Sequence, residues 1–174
     1  SEHAYLAVVG EQASVKLTEL FQQIPDALTP VIQVNDTTLV YLAGNISRYL
    51  IIDNSEAIST ISSALKLPVY SSMLWDLLEI TAGFPLLSTQ YVGEYVPQML
   101  NLQAINGISF TKGCYLGQET VARMQYLGKN KRALFALEGI DVVAKAGDII
   151  EKKLGDNWRK AGDVLAVYQA DNKH

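Results

Sequence analysis

The chain opens with an apolar run followed by a segment of helical periodicity. Residues 5–10 are apolar and end in a glycine, which predicts a buried strand. Four apolar residues between Leu17 and Ile24 then recur at i, i+3, i+4 and i+7, and Pro25 follows them. This spacing predicts a helix that ends at the proline.

Two β-rich pieces, 31–34 and 39–42, come next and are separated by the turn-forming pair at 35–36. They predict a hairpin. A further strand at 49–52 leads into the capping residues 53–55 and a second helical pattern. The resulting order of strand, helix, strands and helix predicts an α+β fold with helices on one face of a mainly antiparallel sheet.

Periodicity weakens in the second part of the chain. Ser71 or Ser72 would cap a helix that ends at Gly83, and residues 84–110 show no clear period. A short helix is predicted from Gln118 to about Tyr126. From residue 131 onward, glycines at spacings near eight residues separate short apolar pieces, which predicts about three strands and the start of a small β-barrel.

Composition excludes several classes of chemistry. Of 174 residues, 49% are hydrophobic and 18% are charged, which is typical of a soluble globular protein. The two histidines lie near the ends, at His3 and His174, and Cys114 is the only cysteine. A Ser-His-Asp triad, a Cys-His pair, a zinc site and an internal disulfide are therefore not expected, and we expect no metal. The single thiol and the lack of a run of about 20 apolar residues predict a cytoplasmic protein without a membrane span.

The net charge of −4 is unevenly distributed. Residues 1–110 carry three Lys or Arg against ten Asp or Glu, whereas residues 111–174 carry eleven against eight. The basic residues of the second part either attract a polyanion, such as RNA or a polyglutamylated cofactor, or form a solvated face of mixed charge. The cluster consists of Arg123, Lys129, Lys131, Arg132, Lys152, Lys153, Arg159 and Lys160.

The segment with the most chemical information surrounds Cys114. The thiol lies between two glycines, which permit close approaches that a side chain would block. A preceding lysine and the following helix N-terminus would favour the thiolate, which predicts a nucleophilic or redox-sensitive cysteine. The alternative is a packed, inert thiol. The segment reads Lys112, Gly113, Cys114, Tyr115, Leu116, Gly117, Gln118 and Glu119.

This segment resembles the K-G-C-[FY]-x-G-Q-E signature of the YgfZ family, folate-binding factors needed for some iron–sulfur enzymes and for tRNA modification. The family is related to the glycine-cleavage aminomethyltransferase, or T-protein. The resemblance continues at A-G-F-P in 82–85, in the P-Q and N-L-Q pieces of 96–103, and in N-K-R-A-L at 130–134. It covers roughly residues 75–168.

The resemblance implies an incomplete T-protein-like, ferredoxin-like domain followed by part of a β-barrel. We expect a partial folate-binding domain at 1–105, the signature loop and short helix at 106–128, and a partial barrel at 129–174. Family members are usually near twice this length, so further segments of both domains are expected outside the chain. A T-protein-like catalytic aspartate would lie in the N-terminal one.

Four residues are assigned to the cofactor, tetrahydrofolate. Thr81 stands where the family has an acidic residue that would hold the pterin. From the residues alone, Gln98 and Asn101 either line a pocket or stabilise turns. Arg123 either pairs with Glu119 or faces an anionic ligand.

The implied function is a folate-dependent accessory factor in iron–sulfur cluster synthesis or repair, with Cys114 as the reactive residue. Its partners would be folate, iron–sulfur enzymes or their assembly factors, and tRNA as a further candidate. One alternative is a tetrahydrofolate-dependent aminomethyl or one-carbon transferase. A second alternative is a non-enzymatic module that docks on RNA or on a protein.

Overall fold

A computed structural model describes residues 3–44, 46–128 and 130–170. It divides into two compact units, 1–70 and 71–174. His174 and Lys129, which the sequence analysis singled out, lie outside the described residues. No helix among the described residues is long and apolar enough to cross a membrane.

The first unit contains a four-stranded antiparallel sheet with the strand order β1-β4-β3-β2. All four strands were predicted. Asn35 turns the chain between β2 and β3 with φ +54°, a left-handed conformation that asparagine tolerates better than most residues. The strands are β1 (His3–Val9), β2 (Val31–Val34), β3 (Thr37–Leu42) and β4 (Arg48–Asn54).

Two helices pack on this sheet, α1 (Ala13–Thr18) and α2 (Ser55–Leu65). The predicted cap of α2 is confirmed, because Asn54 Oδ1 accepts a hydrogen bond from the N–H of Ala57 at 3.0 Å. The prediction that α1 continues to Pro25 is wrong. The Thr18 hydroxyl donates to the carbonyl of Val15 at 2.8 Å, a local bond that competes with helix continuation.

The core of the first unit lies between the helices and one face of the sheet. Leu17 of α1, Leu39 of β3 and Ile51 of β4 are completely buried. Leu39 is the cross-strand partner of Ile51, so both side chains point to the same face. Phe21 stays in this core although it lies beyond α1. The α+β arrangement with an antiparallel sheet is therefore confirmed, whereas the ferredoxin-like comparison with the T-protein stays a prediction.

The second unit has more irregular structure. Its helices are α3 (Met73–Thr81) and α4 (Gln118–Tyr126), and one-turn 3₁₀ segments lie at Thr89–Tyr91 and Pro97–Leu100. The predicted bounds of α4 agree with the structure. A two-stranded antiparallel sheet is formed by β5 (Ile149–Leu154) and β6 (Asn157–Asp163).

The strand predicted from residue 131 to 137 is wrong. Residues 130–139 have no regular secondary structure, because no neighbouring strand in the described part of the chain pairs with them. A side chain supplies a bond instead, since Asn101 Nδ2 donates to the carbonyl of Leu134 at 2.8 Å. Two strands of the predicted barrel are thus formed among the described residues.

The compact units meet at residues 70 and 71, whereas the predicted first domain extends to residue 105. The reason is that residues 90–101 bond to later parts of the second unit. Tyr91 donates to the carbonyl of Val164 at 2.8 Å, and Gln98 donates to that of Val121 at 2.6 Å. The domain bounds at 105 and 128 stay predictions.

Asp53 gives the first unit a pH-dependent contribution to stability. Its carboxylate accepts hydrogen bonds from the Thr37 hydroxyl at 2.5 Å and from the N–H of Asn54, and these bonds hold its pKa below the ordinary value. The contribution is fully present above the unfolded-state pKa of about 3.9 and is lost as the pH falls through the lower native value.

We therefore expect Asp53→Asn to lose less stability than the unchanged chain when the pH is lowered from neutral towards the native pKa. The free energy of unfolding in urea, measured across a pH series, checks this. Asp36→Asn, which removes an exposed turn carboxylate from the same unit, is the control. Parallel pH profiles for Asp53→Asn and the unchanged chain would contradict the prediction.

Candidate functional site

The signature segment ends at the N-terminus of α4. Gly117 occupies the N-cap position with φ +88°, a conformation that side-chain-bearing residues rarely adopt. Its carbonyl accepts the first helical bond, from the N–H of Val121 at 3.3 Å. Gln118 and Glu119 therefore form the first turn of α4, and Cys114 lies in the loop before it.

Cys114 has an exposed, free thiol. The alternative of a packed thiol is wrong for this structure. The two glycines that flank residues 114–116 leave the loop open, because a Cβ placed on Gly113 or Gly117 would meet nothing within 4 Å. Such a loop presents the sulfur to an external partner.

Lys112 remains close to the cysteine loop. Its Nζ lies 4.5 Å from the centre of the Tyr115 ring, within the range of a cation–π contact. Its backbone N–H donates to the Ser109 hydroxyl at 3.2 Å. The positive charge is therefore held next to the residue that follows the thiol.

Arg123 pairs with Glu119 at 2.8 Å, as the i,i+4 spacing predicted. Both side chains are largely exposed, so the pair contributes at most a few tenths of a kcal/mol. In this ion pair, the Arg123 guanidinium bonds to a residue of its own helix.

Gln98 is the buried residue behind α4. It is 3% exposed, and its Nε2 donates to the carbonyl of Val121 at 2.6 Å. Its backbone carbonyl accepts a bond from Asn130 Nδ2 at 2.8 Å. Gln98 thereby joins the 3₁₀ segment at 97–100, α4 and the start of the barrel sequence, while its buried Oε1 has no hydrogen-bond partner among the described residues.

Asn101 has a similar linking role. It adopts φ +55° at the end of the 3₁₀ segment and donates from Nδ2 to the carbonyl of Leu134. Of the two interpretations left open by the sequence, a turn-stabilising role describes both Asn101 and Gln98 as the structure places them.

Thr81 is exposed at the end of α3. Its hydroxyl donates back to the carbonyls of Leu77 at 2.8 Å and Leu78 at 3.1 Å. Glu79, two residues earlier on the helix, is only 6% exposed, so the two side chains point in different directions.

The four residues assigned to folate thus use their polar groups inside the chain. Gln98 is hydrogen-bonded to α4, the helix that carries Arg123. Among the described residues, no hydrogen bond joins Thr81 to Gln98 or to Arg123. The assignment of the four residues to tetrahydrofolate stays a prediction. Within the part of the chain described, no three His, Cys, Asp or Glu side chains come together as metal ligands.

Sequence reasoning missed a polar cavity of about 310 Å³ in the second unit. Asp163 is one of its lining residues: its carboxylate accepts a hydrogen bond from the Tyr95 hydroxyl at 3.3 Å and pairs with Lys160 at 2.6 Å. The Lys160 ammonium lowers the pKa of Asp163, while burial and the nearby carboxylate raise that of Tyr95. The feature of the sequence that could have indicated this cavity is the pair Tyr91 and Tyr95, spaced four residues apart. The cavity is lined by Gln90, Tyr91, Glu94, Tyr95, Arg132, Lys160 and Asp163.

Comparison with known families identifies the last part of the chain. The family model described as "YgfZ, beta-barrel domain" matches residues 130–174. This range includes both β5 and β6.

Three relatives are each described as "tRNA-modifying protein YgfZ". The chain is 61% identical over 172 residues to the protein of Colwellia psychrerythraea, covering 98% of this chain and 53% of the relative. It is 42% identical over 170 residues to that of Klebsiella pneumoniae, covering 96% and 52%. It is 44% identical over 165 residues to that of Yersinia enterocolitica, covering 93% and 50%. The chain spans about half the length of these relatives.

The geometry of Asn101 predicts different effects for two substitutions. Asn101→Gly keeps the left-handed backbone accessible and removes only the bond to Leu134, at a cost of about 1 kcal/mol. Asn101→Ala keeps a Cβ in that conformation but loses the polar side chain that lets asparagine adopt it, so it should cost about 1–2 kcal/mol more than Asn101→Gly. Urea unfolding of both variants measures the difference.

Asn106 is the control, because it has φ +56° but is exposed. Asn106→Gly should leave stability nearly unchanged. Equal losses for Asn101→Gly and Asn101→Ala would show that backbone strain does not matter at this position.

Proposed function

The chain belongs to the YgfZ family, and we propose that it carries the thiol-bearing part of an accessory factor for tRNA modification. The observation that carries this proposal is the display of Cys114. The thiol is exposed in an open loop that precedes α4, and the buried Gln98 is hydrogen-bonded to that helix. The names of the relatives support the connection with tRNA modification.

The proposed role of Cys114 is nucleophilic or redox chemistry on a partner. Lys112, held against the Tyr115 ring, adds a positive charge to the loop, and the N-terminus of α4 follows the loop. Exposure gives a second protein access to the thiol. The Arg123–Glu119 pair keeps the first-turn carboxylate of α4 neutralised.

We infer that the partners are iron–sulfur enzymes, or their assembly factors, that act in tRNA modification. One cysteine cannot supply the four thiolates that typically hold an iron–sulfur cluster. Contact with a cluster would therefore be transient or shared with the partner's own ligands. A reducing cytoplasm suits such a single, accessible thiol.

Tetrahydrofolate remains part of the proposal for the longer protein. The internal bonds of Thr81, Gln98, Asn101 and Arg123 argue against a complete folate site within this chain. The chemistry proposed for Cys114 does not involve folate, and the aminomethyl or one-carbon transferase alternative stays a prediction.

The first test concerns the reactivity of the thiol. We expect Cys114 to react with iodoacetamide at neutral pH faster than an equally exposed cysteine without neighbouring positive charge. The comparison is Ser59→Cys on α2 in a Cys114→Ala background, where residue 59 is also exposed. Equal rates would reject activation of the Cys114 thiolate by its surroundings.

The second test concerns function. In a strain that lacks the endogenous protein, the gene with Cys114→Ala should fail to restore thiolated tRNA, although the protein accumulates normally. Thr111→Ala, at a neighbouring exposed position of the same loop, should restore it. Normal tRNA thiolation with Cys114→Ala would mean that the cysteine is not the reactive group.

A further inference from the structure

The β5–β6 hairpin carries a cluster of basic residues at its tip. Gly155, with φ +62°, is the first of two turn residues, so the strands remain paired up to Leu154 and Asn157. Next to this last pair, Lys152 lies directly across from Arg159, and Lys153 lies across from Trp158. Cross-strand partners share a face, so the hairpin presents cations on both of its faces.

This arrangement is electrostatically unfavourable in the isolated chain. Like charges placed directly opposite each other destabilise a strand pair. Among the described residues, no carboxylate lies within ion-pair distance of Lys152, Lys153 or Arg159. The ion pair found in this hairpin, Lys160 with Asp163, lies farther from the tip. An external anion would relieve the repulsion.

Trp158 indicates what kind of anion fits. Its side chain is 61% exposed on β6, across from Lys153 on β5. An exposed aromatic ring next to cations is the combination that holds unpaired nucleotides, because the ring stacks on a base while the cations contact phosphates. An acidic protein surface would use the cations but would not need the indole.

We propose that the tip of this hairpin, formed by Lys152, Lys153, Trp158 and Arg159, binds an unpaired segment of RNA. A flexible single strand can pass over the tip and place phosphates near both faces, whereas a flat acidic surface meets one face at a time. The assignment rests on the proposed tRNA-related function and adds an RNA contact that is separate from Cys114.

The test measures RNA binding and base stacking separately. In the 174-residue chain with Trp75→Phe, Trp158 is the only tryptophan. Titration with oligouridylate should quench its fluorescence. Three phosphate contacts predict a slope of about −2 for the logarithm of the binding constant against the logarithm of salt concentration.

Substitutions then identify the contacts. Lys152→Gln with Arg159→Gln should reduce the slope to about −0.7. The matched control, Lys66→Asn with Lys145→Gln, also removes two exposed positive charges but leaves the hairpin unchanged, so its slope should stay at about −2. Trp158→Ala, followed with labelled oligouridylate, should weaken binding roughly 5- to 150-fold.

Each other result overturns the proposal. Polyglutamate that binds as tightly as RNA, without quenching, would make the tip a general site for acidic partners. Equal losses in the hairpin variant and its control would mean that binding follows net charge alone. Thiol reactivity and complementation, which test Cys114, are measured independently, so either conclusion can fail without the other.

Discussion

The position of the candidate site depends on one buried amide, Gln98. Three residues form the small core behind the signature helix: Gln98, Leu100 and Val121 are 3%, 5% and 7% exposed. The Gln98 side-chain amide donates to the carbonyl of Val121, in the first turn of α4. The Gln98 backbone carbonyl accepts a hydrogen bond from Asn130, which follows α4 in the sequence. A hydrogen bond in such a buried setting is costly to leave unmade, so it fixes the start of α4 more firmly than the apolar contacts of Leu100 and Val121 alone would. The loop that carries Cys114 is attached to that fixed point.

The first unit is organised by a different interaction, and this explains why the sequence predicted it well. Its core is apolar and comes from residues that recur at strand or helix spacing, such as Leu17, Leu39 and Ile51. Periodicity reports the burial of such side chains directly. The one clear error, the length of α1, arose because Thr18 satisfies its hydroxyl on the preceding turn, while Phe21 still reaches the core from a non-helical backbone. Hydrophobic spacing alone does not distinguish a helical backbone from a non-helical one that buries the Phe21 ring.

The second unit could be predicted only in part, because side chain–backbone bonds do much of its linking. Asn101, Asn130 and Tyr91 each bond to a carbonyl more than thirty residues away in sequence. These bonds connect segments outside the α-helices and strands, and no hydrophobic period marks them. The helix at 118–126 was accessible from the sequence, since a helical segment is a local feature, whereas the sequence left the thiol before it open between a reactive and a packed cysteine. The hydrogen bond of Gln98 to α4 and the cavity around Asp163 depend on contacts between distant segments and were not accessible.

Anchoring and exposure have complementary roles in this unit. A reactive thiol or a stacking ring must stay accessible to a partner. A side chain on a flexible loop loses conformational entropy each time a partner binds, because binding orders the loop. In this structure the exposed groups extend from fixed supports: Cys114 from the start of a helix held by Gln98, and Trp158 from a hairpin whose base is tied to the 90–95 segment through Tyr95 and Asp163. The polar bonds that replace a large core therefore hold two accessible groups in defined positions. That arrangement accounts for why the most buried of the described residues in this unit is an amide, Gln98, while Trp158 and Cys114 are left exposed.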